Sequence, residues 1–372
     1  MTAHQAAAAP RQGPASDRSS PVPGAASASV MTVLGPVSAA DLGMVLPHEH
    51  LLCRVYLPAD QRADERFHER VTLGNLGWVR QHWASNADNL RLTSERLAIQ
   101  ELQRFKDAGG GTLVDLTQDG IGRSPAALAR ISRATGVHIV MGCGAYVAPT
   151  NPAWIATATT GAIADRLVAE ANGGVGSARI RPGIIGEIGC SWPLEAVEGR
   201  VLVAAALAQA RTGLAISVHP GRNRAAPLQI VERLAAAGAD VSRVVIGHLD
   251  RTVQDLAGLV EIARSGPYVE LDLFGLETSW YPWPGVAEGL SDAQRLILVR
   301  GLIDAGLGDR ILLSHDICTK HRLARYGGHG YDHLVSNVLP WMRDRGFDEA
   351  EIDLLFRTNP ATMLGSHGRL RT

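Results

Sequence analysis

Residues 46–50 read "LPHEH", at the end of an apolar run. Side chains alternate along a strand, so His48 and His50 point to one side and Glu49 to the other. A second apolar run, "GIIGEIGC" (183–190), carries one carboxylate, Glu187. A carboxylate among isoleucines is costly unless something positive meets it. Three more runs end on a ligand-type residue: "AISVH" on His219, "VVIGH" on His248 and "ILLSHD" on Asp316. Imidazole and carboxylate suit Zn²⁺, and also Mn²⁺ or Co²⁺. Six such residues exceed the needs of one tetrahedral ion. They fit two divalent ions with a carboxylate between them, and Glu187 is the candidate bridge. Taken singly, Glu187 reads as an ion-paired core carboxylate and each histidine as a satisfied core or loop residue. The joint pattern, with every one at a strand end, favours the metal.

Those residues need a scaffold that brings strand ends together. Eight apolar runs are candidate strands: 43–50, 111–117, 137–146, 181–187, 213–219, 243–248, 268–273 and 310–316. Between them lie helical stretches rich in Ala, Leu and Arg. One covers 200–212 and stops at Gly213, and another covers 226–240 with Gly238 as its stop. Buried strands alternating with helices indicate parallel βαβ units. The intervals from Glu187 to His219 and from His219 to His248 each suit a repeat of about 30 residues. Eight repeats predict an α/β fold, a (β/α)₈ TIM barrel, whose active sites lie at the C-terminal ends of the strands. A doubly wound sheet is the alternative, but no GxGxxG follows the first strand. Residues 51–92 form a long insertion after the first strand, expected to cover part of the barrel mouth.

The 372 residues are 46% hydrophobic with a formal net charge of −1. That supports a large core and gives no nucleic-acid footprint. No apolar run is long enough to span a bilayer, so no membrane partner is expected. The four cysteines form no CxxC pair, which fits free thiols in a reducing cytoplasm. Residues 1–30, rich in Ala, Pro and Ser, read as a disordered tail without the apolar core of a secretory signal. One hydrolase domain is expected over 31–372. A small-molecule substrate is the expected partner, and a homodimer is left open.

The segments "LPHEHLL", "GEIG", "VHPGR", "GHLDRT" and "SHDICTKHRLARYGGHGY" together resemble the phosphotriesterase family of the amidohydrolase superfamily. The resemblance runs from about residue 31 to the C-terminus. It implies a binuclear metal barrel in which His48, His50 and Asp316 hold the buried metal, His219 and His248 the more exposed one, and Glu187 bridges. Many members carry a carboxylated lysine as the bridge; a glutamate here implies assembly without carbon dioxide. It also implies that the metals activate a water, that Asp316 accepts its proton as the catalytic residue, and that Tyr146 lines the pocket. Phosphotriesterases proper carry an Asp-Asp pair after the sixth-strand histidine. Here Asp250 is followed by Arg251, which argues against efficient organophosphate hydrolysis. The branch resembled in "GEIGCSWPL" and "DLFG" implies cleavage of an amide bond in small anionic N-acyl compounds, of N-acetyltaurine or N-acyl amino acid type. A lactonase with promiscuous phosphotriesterase activity and a non-catalytic metal-binding relative are the alternatives.

Three cations complete the set. Arg222, Arg251 and Lys320 each follow a strand-end ligand by three or four residues. Arginine's fork suits sulfonate and carboxylate oxygens, so at least one of the three is expected to bind an anionic substrate tail. The plainer reading has them solvating the rim or pairing with Asp250 and Asp272.

Overall fold

The computed structural model describes residues 28–55, 65–278 and 289–365. All eight candidate strands are present. They are β1 (Met44–Glu49), β2 (Gly110–Asp115), β3 (His138–Cys143), β4 (Ile184–Gly189), β5 (Ile216–His219), β6 (Val244–Ile246), β7 (Tyr268–Leu271) and β8 (Ile311–Leu313). Each pairs in parallel with the next in the chain. The ring closes between β8 and β1. The Asp316 amide donates to the His48 carbonyl at 3.1 Å, and Ser314 Oγ donates to the same carbonyl at 2.8 Å. The fold is therefore a closed (β/α)₈ barrel, as the alternation predicts.

The main helix after each of the first seven strands is, in order, Glu95–Asp107, Pro125–Thr135, Thr160–Gly173, Ala196–Thr212, Ala226–Ala236, Leu256–Arg264 and Asp292–Asp304. Local chemistry sets their ends. Ser94 accepts from the Leu97 amide at 3.3 Å, and Glu195 with Glu198 forms a reciprocal capping box. Gly213 takes φ +70° to close Ala196–Thr212, the left-handed stop that glycine adopts without a Cβ penalty.

The barrel interior is apolar at its N-terminal end. Val45, Val114, Val140, Ile184, Val245 and Leu312, from six different strands, share one buried cluster with Val30. That contact corrects the expected boundary of the folded unit. Ser29–Thr32 is a strand paired antiparallel with Gly35–Ser38, and Val30 is fully buried. Ala28 is buried too, so residues 28–30 belong to the fold, because their apolar side chains plug the end of the barrel opposite the ligands. Residues 1–27 of the expected tail lie outside the described residues. Within the 51–92 insertion, Cys53–Arg54 pairs antiparallel with Arg91–Leu92. Cys53 and Val55 then face the pocket at the C-terminal mouth.

Candidate metal centre

The six strand-end residues converge. Glu187, 2% exposed, is met by three imidazoles. His248 Nε2 lies 2.7 Å and His219 Nδ1 2.8 Å from Glu187 Oε1, and His48 Nε2 lies 3.6 Å from it. On the other side, His50 Nε2 is 3.2 Å from Asp316 Oδ1, and His48 Nε2 is 4.0 Å from the same oxygen. Among the described residues, ligand atoms of His48, Glu187 and His248 lie within 4.8 Å of one another, as do those of His48, His50 and Asp316. His48 thus stands between two donor groups.

The backbone aims several of these side chains. His248 and Asp316 both adopt positive φ, +52° and +51°. Non-glycine residues enter that region at a cost, and such outliers cluster at functional sites. Both stand just beyond the end of a strand, where the turn redirects the side chain over the barrel mouth. Gly186 (φ +131°) lets β4 approach β5 closely, since a Cβ there would strike the Ser217 carbonyl oxygen.

A second set of carboxylates sits beneath the histidines. His48 Nδ1 is 2.9 Å from Glu270 Oε2 and 3.1 Å from Asp272 Oδ2. His248 Nδ1 is 2.8 Å from Asp272 Oδ1, and the His248 amide donates to Asp272 Oδ2 at 2.8 Å. These contacts place a proton on Nδ1 of each ring and turn Nε2 toward the site. Thr117 Oγ1 meets His50 Nδ1 at 2.9 Å in the same way. His48 Nε2 is buried with no hydrogen-bond partner in the structure. A buried ring nitrogen with no hydrogen-bond partner, set between two carboxylates, is a position where a cation would be held.

The charge balance points the same way. Burial works to lower His48 and His248, but neighbouring carboxylates, Asp272 foremost, outweigh it. His48 is raised well above the ordinary value and His248 to about 10. Burial opposes the charge on Glu187 and Asp272, yet the adjacent imidazoles hold both carboxyls well below the usual range. His219 is pushed down to about 3, chiefly by burial, so its ring is neutral. The carboxylates of the site draw positive charge onto the His48 and His248 rings, a demand that divalent ions of borderline hardness would also meet.

Glu49, the middle residue of the HEH triplet, points away from the site as alternation requires. It is fully buried and holds the segment that carries Asp316. Its Oε1 accepts from Ser314 Oγ at 2.9 Å, the His315 amide at 2.9 Å and His315 Nδ1 at 2.7 Å. Its Oε2 accepts from the Ile317 amide at 2.9 Å.

The substrate-side residues divide. Tyr146 reaches the site, its hydroxyl 3.2 Å from His219 Nδ1. Burial, with the Glu187 charge behind it, raises the phenol well above its ordinary value, so it stays protonated. Arg251 is buried, with Nη2 3.2 Å from His219 Nε2 and 3.2 Å from the Pro220 carbonyl. Arg222 is half-buried, and its charge acts on Tyr146 as that of Arg251 does. Lys320 departs from expectation. Its ammonium pairs with Asp88 of the insertion at 2.6 Å, because Asn89 accepts from the Lys320 amide and fixes the two segments together. Nor do Asp250 and Asp272 pair with the rim cations. Asp250 binds Arg295 Nε at 2.6 Å deep in the fold, and Asp272 serves the two histidines. The sequence reading passed over Glu270 and the positioning roles of Asp272 and Glu49. The signal was present in "VELDL": two carboxylates at period two in an apolar strand, each in need of a positive partner.

Residues 28–364 match the Phosphotriesterase family, and the chain belongs to that family. Among its relatives, the N-acetyltaurine hydrolase of Homo sapiens is 43% identical over 342 residues, covering 91% of this chain and 98% of that protein. The phosphotriesterase-related protein of Nematostella vectensis is 42% identical over 345 residues, covering 91% and 99%. The crystal structure of a resiniferatoxin-binding protein from Rhodobacter sphaeroides superimposes with a TM-score of 0.86 at 37% identity, over 91% of this chain and 96% of that one.

Proposed function

We propose that the chain is a binuclear-metal amidohydrolase that cleaves the amide bond of small anionic N-acyl compounds, with N-acetyltaurine as the leading substrate. The observation that carries the metal reading is the partnerless His48 Nε2 between Glu187 and Asp316. The substrate reading rests on relatives named as N-acetyltaurine hydrolases over nearly their whole length. His48, His50 and Asp316 would hold one ion, His219 and His248 the other, and Glu187 both. Zinc is the ion the donor set fits best, with Mn²⁺ and Co²⁺ also suited. Bound there, divalent ions supply Lewis-acid activation of a water and of the scissile carbonyl.

The protein's own groups do the rest. Asp316, its side chain 16% exposed at the pocket floor, accepts the proton of the attacking water on a carboxylate oxygen and delivers it to the departing nitrogen. The protonated Tyr146 hydroxyl donates to an oxygen of the substrate. Arg222 and Arg251 hold the anionic tail, which orients the carbonyl. Lys320, engaged with Asp88, is not assigned to that task. Among the described residues no helix is long and apolar enough to cross a membrane. The free cysteines support a reducing, cytoplasmic setting.

The test is a substrate panel on metal-loaded protein: N-acetyltaurine, N-acetyl amino acids, acyl-homoserine lactones and a paraoxon-type ester. The highest kcat/KM should fall on an anionic N-acyl compound. A preference for the lactones by tenfold or more would replace the amide reading with the lactonase.

A further inference from the structure

The small cavity above the centre has two chemically different sides. One wall is polar, with Glu187, His248, His50 and Asp316. The rest is Cys53, Val55, Ile121 and Cys318, with Tyr146 beside them. Cys53 and Val55 follow β1, Ile121 follows β2, and Cys318 follows β8. Because β8 closes on β1, these four stand on three adjacent segments of the ring. Arg222 follows β5 and Arg251 follows β6. In a ring of eight strands, β5 lies opposite β1. The apolar wall and the two arginines therefore face each other across the metal site.

The cavity volume is about 50 Å³. By the measure in which one water needs roughly 10–15 Å³, that is room for a few heavy atoms. That is the scale of an acetyl group. Ile121, 6% exposed, is packed into this side of the cavity.

Resting on the amidohydrolase reading, we propose that the barrel fixes the direction of its substrate. The acyl group enters the Cys53–Val55–Ile121–Cys318 side, and the anionic tail extends toward the β5 and β6 loops. Ile121 and Val55 are then the residues that set acyl-chain length. An amide whose carbonyl sits over Glu187 has its two ends on opposite sides of that point. Among the described residues that line the cavity, the apolar side chains stand on the β8, β1 and β2 segments, while Arg222 and Arg251 stand on the β5 and β6 loops across from them.

The experiment is kcat/KM for N-acetyl-, N-propionyl-, N-butyryl- and N-hexanoyltaurine on the metal-loaded full chain. It compares wild type with Ile121→Ala, Val55→Ala and the milder Ile121→Val. In wild type, each methylene beyond the pocket's limit should cost roughly ten- to two-hundredfold, the range by which a tight apolar pocket rejects one extra methylene. Ile121→Ala should raise the butyryl-to-acetyl ratio at least tenfold, with Ile121→Val intermediate. The ratio for N-acetylhomotaurine over N-acetyltaurine, which lengthens the other end, should not move. An unchanged acyl ratio in a folded variant of an active enzyme overturns the proposal alone. A shift in the homotaurine ratio instead reverses the direction. Absence of wild-type turnover on the whole series defeats the amide reading and this proposal together.

Discussion

Asp272 is the carboxylate on which both donor groups lean, and its replacement gives a graded prediction. It accepts from three donors: His48 Nδ1 at 3.1 Å, His248 Nδ1 at 2.8 Å and the His248 amide at 2.8 Å. In Asp272→Asn one oxygen becomes an amide nitrogen of the same size. That NH₂ faces an imidazole N–H, so one ring loses its acceptor and its orientation. Loss of such a partner weakens metal binding by roughly 10–100-fold, or about 1.4–2.8 kcal/mol. His48 and His248 belong to different halves of the centre, so the ion held by the ring that loses its acceptor should be bound less tightly. Glu270→Gln is the internal comparison. Glu270 meets only His48, its Oε1 has no partner, and burial pushes its carboxyl up to about 7. Still able to accept as the amide, it should lose less than tenfold. Competition against a chromophoric chelator measures both affinities, and metal-free melting temperatures check that each variant folds. Wild-type affinity in Asp272→Asn, or greater damage from Glu270→Gln, would refute the reasoning.

Asp316→Asn should keep the fold and lose roughly 10²–10⁴-fold in kcat, because the amide cannot take a proton; steady-state rates showing near-normal turnover with metal retained would exclude that role. Arg222→Ala should lower kcat/KM for anionic N-acyl substrates by roughly ten- to a hundredfold, the worth of a charge-assisted contact, and spare a neutral N-alkyl amide; equal losses on both substrates would remove the anionic-tail contact. Asp292 gives a stability prediction. Burial opposes its charge, but His333 at 2.7 Å and Arg295 at 2.9 Å hold its carboxyl below the usual value. A depressed folded pKa stabilises the protein above the unfolded pKa, and that stabilisation is lost as pH falls through the folded value. The melting-temperature deficit of Asp292→Asn should therefore be full near neutrality and shrink below about pH 4. A deficit constant down to pH 3 would mean that the charge is not what matters.

The strands and the six ligand-type residues were legible because both obey local rules. An apolar run of buried-strand length ending in His, Glu or Asp carries its own period and its own address at the barrel mouth. What the sequence hid depends on distant partners. Asp250 meets Arg295, and Lys320 meets Asp88, across separations that no local spacing reveals. The same distance conceals Glu49, whose partners lie at the end of β8. Residues 28–30 were missed for another reason. Their Ala/Ser-rich setting resembles the segment before them, and only the contact of Val30 with the barrel interior sets them apart. Glu270 and Asp272 were within reach, since the argument that asked what meets Glu187 applies equally to them.

The central claim is that two cations meet at Glu187. Anomalous diffraction at the metal absorption edge, on crystals of metal-loaded protein, tests it most directly. The account predicts two peaks flanking the Glu187 carboxylate, one beside His48, His50 and Asp316, the other beside His219 and His248. A single peak, or a second one remote from Glu187, would contradict it.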